Sequence, residues 1–383
     1  MALGVISVVA GIFTADGDHF WSNILVNSFF FLAIGLGALF FYALQYATET
    51  GWSALVKRIF EGIYSSIPVF GGILAIVLLV GSLGGHHIYH WMDPHVYEPL
   101  LEDGTPNEHY DAIIANKKPF LNLPFFWFRT LVYLATFILF ARFFRKKSLQ
   151  EDEVGGNEIH KLLYRRGALF LVFFAVFSST LSWDWLMSID THWFSTMYGW
   201  YTFSGMWVSA MITAILLIRW LKGKGYLPYV NENHIHDLGK WMFALSFLWT
   251  YLWFSQFMLI WYSDIPEEVT YFKERIDDFT IPYFLMLAVN FIFPMVMLMS
   301  RQAKRTNSIL LFVGGLIFLG HWFDVYLMVI PGATHHWHYG LFEAGTFLGF
   351  LGLFLYMTLN AFTKASFLPK NHPFLEESKH MHI

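Results

Sequence analysis

Two ionisable residues, His321 and Asp324, sit inside an apolar stretch over 308–330. Three residues apart, they share one face of a helix. At 1.5 Å per residue, His321 lies roughly 20 Å along from residue 308. Charge at that depth in a membrane is costly, so each such group is a functional candidate. A His–Asp pair suits a proton relay, because imidazole titrates near neutral pH. The competing reading is a buried pair that only ties helices together. Haem b ligation would need a second histidine at matching depth, and no other apolar span supplies one. Glu343, at the start of the 341–362 span, is the next station outward. Glu49 and Asp237 are the inner entry points, roughly 20 Å away. Asn290 and Thr250 are the polar residues available between. Gln45 and Glu49 lie four apart on one face, while His234, His236, Asp237 and Lys240 cluster near the start of another span.

A second constellation runs from Ser182 to Trp193. It sets Asp184, Asp190 and His192 among three tryptophans in one short turn. A third runs from Thr250 to Glu268, with Gln256 inside an aromatic span and Glu267 and Glu268 just past Pro266. A quinone headgroup needs this mixture of apolar slot, hydrogen-bond donor and acid–base group. Interfacial tryptophan and solvated loop carboxylates are the plainer reading. The histidines at 86, 87, 90, 335, 336 and 338 lack ligand spacing, and no metal site is expected from them.

These groups must be positioned by membrane helices. Of 383 residues, 56% are hydrophobic, 20% aromatic and 14% charged, against about 25% charged in soluble domains. A span needs about 20 apolar residues. Nine such segments occur, over 21–46, 63–83, 123–144, 167–187, 195–220, 238–261, 281–299, 308–330 and 341–362. The expectation is an all-α polytopic membrane protein, a single integral membrane domain over 1–383. It carries an outer loop over 89–122 and a tail over 365–383. Within the N-terminal segment, 1–20, residues 2–13 are apolar but too short to span; they read as an interfacial segment or the remnant of a first span. Nineteen of the 24 lysines and arginines fall on one side of this topology and four on the other. The basic side is the cytoplasm by the positive-inside rule, which puts the C-terminus inside. With no cysteine, this chain offers no disulfide, thiolate zinc site, cysteine-ligated iron–sulfur cluster or covalent c-type haem. A net charge of −4 gives no footprint for nucleic acid.

The 182–196 and 250–272 stretches, with Asn371-His372-Pro373-Phe374-Leu375-Glu376-Glu377-Ser378, resemble the F subunit of bacterial alternative complex III. That complex is a quinol:electron-acceptor oxidoreductase, and the subunit is similar to polysulphide reductase and NrfD-type membrane proteins. The resemblance runs from about Leu44 onward. It implies ten spans, nine of them visible here, built as two four-helix bundles plus flanking helices. It implies no cofactor in this chain, within a complex that carries iron–sulfur clusters and c-type haems and oxidises quinol. The implied partners are a homologous quinol-binding C subunit, a periplasmic iron–sulfur subunit, c-type cytochrome subunits and a terminal oxidase, in the bacterial inner membrane. Proton conduction or structural pairing with the C subunit is the implied role. Asp184, Asp190, His192, Gln256, Glu267 and Glu268 then become a vestigial quinone site. A self-contained ion or solute transporter, expected to show broken helices and repeats at the midplane, and a purely structural anchor are the alternatives.

Overall fold

The computed structural model describes residues 1–100 and 105–381; residues 101–104 of the 89–122 loop and 382–383 of the tail lie outside the described residues. Apart from one isolated bridge between Leu100 and Pro106, the regular structure among them is helical. Lipid cannot satisfy a free backbone N–H, so a spanning segment must close its hydrogen bonds within itself. Among the described residues, nine helices are long and apolar enough to cross a membrane. They fall where the hydropathy predicts.

In chain order, α1 (Ala2–Thr14) is a short apolar helix and α2 (Gly17–Ala47) the first span. Then come α3 (Lys57–Ser82), α4 (Leu123–Val154), α5 (Glu158–Trp185), α6 (Met197–Gly223) and α7 (Glu232–Ser263). Helix α8 (Pro266–Asp277) is polar and lies in the connection to α9 (Thr280–Met297). Spans α10 (Asn307–Thr334) and α11 (Leu341–Phe362) complete the set.

Helices α2 to α5 pack as one four-helix bundle, and α6, α7, α9 and α10 as a second. Helix α2 also faces α6 and α10, so it forms the seam between the bundles. Its most apolar window is 94% buried inside the protein. Between helices in lipid, close packing replaces the hydrophobic drive. Gly37 shows this: a Cβ there would overlap the Met206 carbonyl of α6. Helices α1 and α11 form a flanking antiparallel pair, joined where Gly4 meets Gly349 backbone to backbone. One end of the molecule carries most of the basic residues. The other carries His19, His86, His335 and His338. These are called the basic end and the histidine-rich end below.

Two local features depart from a simple hydropathy reading. The apolar window closes near 144, yet α4 continues to Val154. Charge ends the window but not the helix, because the extension has partners. Lys57 bonds Glu151 at 2.6 Å, Arg58 pairs with Asp152, and Arg58 reaches Ser148 at 3.1 Å. In α9, residues 288–292 form a π turn ahead of Pro294. Pro cannot donate a backbone hydrogen bond, and single π turns inside α-helices concentrate at functional sites.

Candidate functional site around Asp324

Asp324 is 2% exposed, and its carboxylate accepts from two aromatic donors. Tyr201 of α6 donates its hydroxyl to Oδ1, and Trp249 of α7 donates its indole N–H to Oδ2 at 2.9 Å. His321 lies one turn away on α10, its Nδ1 3.7 Å from Oδ2 and its ring edge-on to Trp249. That distance is too long for a hydrogen bond. Both ring nitrogens of His321 are buried without a protein partner. Buried polar atoms of this kind are rare and are ordinarily met by protein or water.

Asn290 sits in the π turn of α9, fully buried, and both of its amide atoms lack partners. It presses on Gly320, where any Cβ would overlap its Oδ1. The sequence-named residues His321, Asp324 and Asn290 are therefore brought to one level of the second bundle.

Two small cavities flank Asp324. The one toward mid-span is bordered by Phe30, Thr202, Gly205, Ser209 and His321. The one toward the histidine-rich end is bordered by Tyr201, Gln256, Tyr271, Arg275 and Tyr283. Each measures about 10 Å³, room for about one water. Gln256 is buried and its Oε1 has no partner.

Arg275 closes the second cavity. It is 1% exposed, donates to the Leu327 carbonyl at 2.9 Å and pairs with Asp190 at 3.1 Å. Its guanidinium lies 3.3 Å from the centre of the Tyr271 ring. Burial pushes the Tyr271 hydroxyl up to about 12, so it stays protonated and can donate. Tyr201, Asp324, Arg275 and Asp190 thus form a polar series that leads out to the histidine-rich end. There, Glu274 beside Arg275 bonds exposed His335 at 2.7 Å.

The other sequence-named residues are placed apart. Glu343 caps α11 by accepting from the Gly340 N–H at 2.6 Å, and its second oxygen meets His19 at 2.6 Å. Glu49 is exposed past the end of α2, and Asp237 pairs with Lys240 at the basic end. Neither is hydrogen-bonded to the His321 ring. Thr250 spends its hydroxyl on the Ser246 carbonyl of its own helix at 2.8 Å.

The six residues of the vestigial quinone set divide among separate neighbourhoods. Asp184 belongs to the first bundle, held by Arg129 at 2.6 and 2.8 Å and by Tyr133 at 3.0 Å. Asp190 serves Arg275. His192 meets Asp111 of the 89–122 loop at 2.5 Å. Burial works against charge on Asp111, yet the Ile114 N–H and His192 hold its carboxyl below the usual range. Gln256 borders the Asp324 cavity. Glu267 is exposed in the first turn of α8, and the Glu268 carbonyl accepts from Trp193 at 3.0 Å.

Sequence reasoning missed Tyr201, Trp249, Tyr271 and Arg275. The aromatic three look like packing residues in a chain this rich in them. Arg275 carried a signal: it is one of four basic residues on the sparsely charged side.

No protein-family model matches the chain, and no curated protein matches it. The geometry nonetheless decides one point. The chain is a multi-pass helical membrane protein. Its one described group of three converging metal-ligating side chains lies away from Asp324, at the basic end.

Proposed function

We propose that this chain is a membrane subunit, without a redox cofactor of its own, of a respiratory quinol:electron-acceptor oxidoreductase of the alternative complex III type, conducting protons through the second bundle. The observation that carries it is the buried carboxylate of Asp324, held by two donors, with a water-sized cavity on each side and an unpartnered imidazole one turn away. An ionisable residue buried within a membrane span is by default a functional candidate. The motif resemblance supports the rest of the reading. Quinol is oxidised at a homologous C subunit beside a periplasmic iron–sulfur subunit, and c-type haem subunits pass electrons to a terminal oxidase. The basic end faces the cytoplasm of the bacterial inner membrane.

In this reading Tyr201 and Trp249 fix Asp324 in one rotamer. His321 exchanges protons with it through a water in the mid-span cavity. Gln256, Tyr271 and Arg275 order the water on the outer side, and Asp190 delivers protons to the surface. Asn290 is the next polar group on the inner side.

The test is the intact complex in sealed vesicles, comparing Asp324→Asn and His321→Gln with the parent. Assembly and detergent electron transfer are retained while the proton-to-electron ratio falls. A parental ratio in well-assembled variants overturns the proposal. The anchor reading is favoured by one observation, the complete hydrogen bonding of Asp324 to α6 and α7. It forecasts instead that both variants lose assembly.

A further inference from the structure

At the basic end, away from Asp324, two helices and the tail bring together a second buried polar cluster. Glu151 is on the extension of α4, His160 in the first turn of α5, and His372 in the tail. Their exposures are 0%, 6% and 8%. One ligand atom from each lies within 4.8 Å of the other two. The α4–α5 turn is only three residues long, which folds Glu151 back against His160. The tail then lays His372 edge-on to the His160 ring, with centroids 5.3 Å apart.

The hydrogen bonding inside this cluster is incomplete. Neither ring nitrogen of His160 has a partner, and neither does Glu151 Oε1. His160 Nδ1 stands 3.6 Å from Glu151 Oε1, outside hydrogen-bond range. Leaving such atoms buried and unmet is costly. The other oxygen is fully engaged: Glu151 Oε2 accepts from Lys57 at 2.6 Å and from Tyr46 at 3.1 Å. These two donors orient the carboxylate so that Oε1 points to the histidines. Outer partners of this kind are what position a ligating carboxylate.

We propose that Glu151, His160 and His372 form a binding site for a divalent transition-metal cation, with zinc the best fit. Two imidazoles and one carboxylate match the donor preference of zinc, and three protein ligands leave one position open. A cavity of about 20 Å³ adjoins both histidines and is bordered by Gln45, enough for a water in that position. His372 Nδ1 accepts from the Phe374 N–H at 3.2 Å. A cation taking that lone pair exchanges a long hydrogen bond for a coordinate bond, and one taking Nε2 needs the other tautomer. Lys57 and Arg58 add local positive charge, which Glu61, Glu151 and Asp152 balance. The bound cation staples the tail to the α4–α5 turn. This inference is independent of the proton reading.

The test uses the full chain as solubilised in its native assembly, stripped with chelator and then titrated with Zn²⁺ or Co²⁺. The expected result is one zinc per chain by mass spectrometry, visible Co²⁺ d–d bands, and a melting temperature that rises with zinc. His160→Gln and His372→Gln should each abolish the bands and the zinc-dependent rise while the metal-free chain stays assembled. Tyr46→Phe, which loosens Oε2, should weaken zinc by about tenfold. Parental zinc stoichiometry in both histidine variants, or no stoichiometric zinc in the parent, overturns the proposal. If a histidine variant does not assemble, Tyr46→Phe decides: parental zinc affinity there counts against the site.

Discussion

The indole N–H of Trp249 donates to Asp324 at 2.9 Å and so ties α7 to α10 through a carboxylate within the membrane. Trp249→Phe deletes the donor and trims the buried bicyclic indole to a single ring, a loss of packing that Trp253→Phe shares. Removing one partner of a buried charged group costs about 1–3 kcal/mol or more. The melting temperature of the solubilised protein should fall accordingly, while Trp253→Phe, whose N–H goes to the Tyr283 hydroxyl at 3.1 Å, should cost less. Equal losses at the two sites would show that the Asp324 carboxylate adds nothing to its donor's value.

A second prediction concerns the first bundle. Arg129 grips Asp184 with two nitrogens at 2.8 and 2.6 Å, and both residues are buried. Removing one member of a buried pair strands the other and costs about 3–5 kcal/mol. Arg129→Met and Asp184→Asn should each sharply lower the yield of folded protein. Arg129→Met combined with Asp184→Leu should recover much of it, since no charge is left behind. A double variant as poor as either single one contradicts this account.

Glycine substitutions separate contact from propensity. Gly37→Ala drives a methyl into the Met206 carbonyl at the seam between bundles, and backbone cannot step aside cheaply. Nothing lies within 4 Å of a Cβ at Gly72, in the middle of α3. Gly72→Ala should therefore be neutral, or stabilising by up to about 1 kcal/mol from helix propensity. Gly37→Ala should expose a protease-sensitive chain in mild detergent. Parental resistance of Gly37→Ala would mean that α2 and α6 pack less closely than described.

The absence of cysteine makes orientation directly measurable. A single cysteine placed at Glu267, in the exposed first turn of α8, should react with a membrane-impermeant maleimide on intact cells. One placed at Lys224, exposed between α6 and α7, should react only after permeabilisation. The reverse pattern would invert the topology read from the basic residues.

The spans were legible because long apolar runs have one solution in lipid. Their ends were less so. Arg145 and Asp152 close the hydropathy window of α4, but their partners on α3 keep the helix going. At the candidate site, His321 and Asp324 stood out as charge among apolar neighbours. Tyr201 did not, because a tyrosine that donates to a carboxylate and one that packs have the same local sequence. Asp190 was noticed for the wrong company: its partner Arg275 lies 85 residues on, a pairing that no spacing rule reveals. The same blindness hid the Glu151–His160–His372 cluster, whose third member returns from the tail after more than two hundred residues.

The burial of α2 has a consequence for how the protein is made. A helix surrounded by protein can carry Ser22, Asn23, Asn27 and Ser28 on its faces: its own helix accepts from both serine hydroxyls and the Asn27 amide, and Trp322 donates to Asn27 Oδ1. During synthesis Trp322 does not yet exist when α2 is made. Helix α2 enters the bilayer early, and α10, which supplies Trp322, is inserted about three hundred residues later. Its high hydropathy sustains it alone in lipid during that interval, while Asn27 Oδ1 waits for its Trp322 donor. Biogenesis of this chain therefore holds a frustrated intermediate until its eighth span arrives, which makes truncations before α10 natural substrates for membrane quality control.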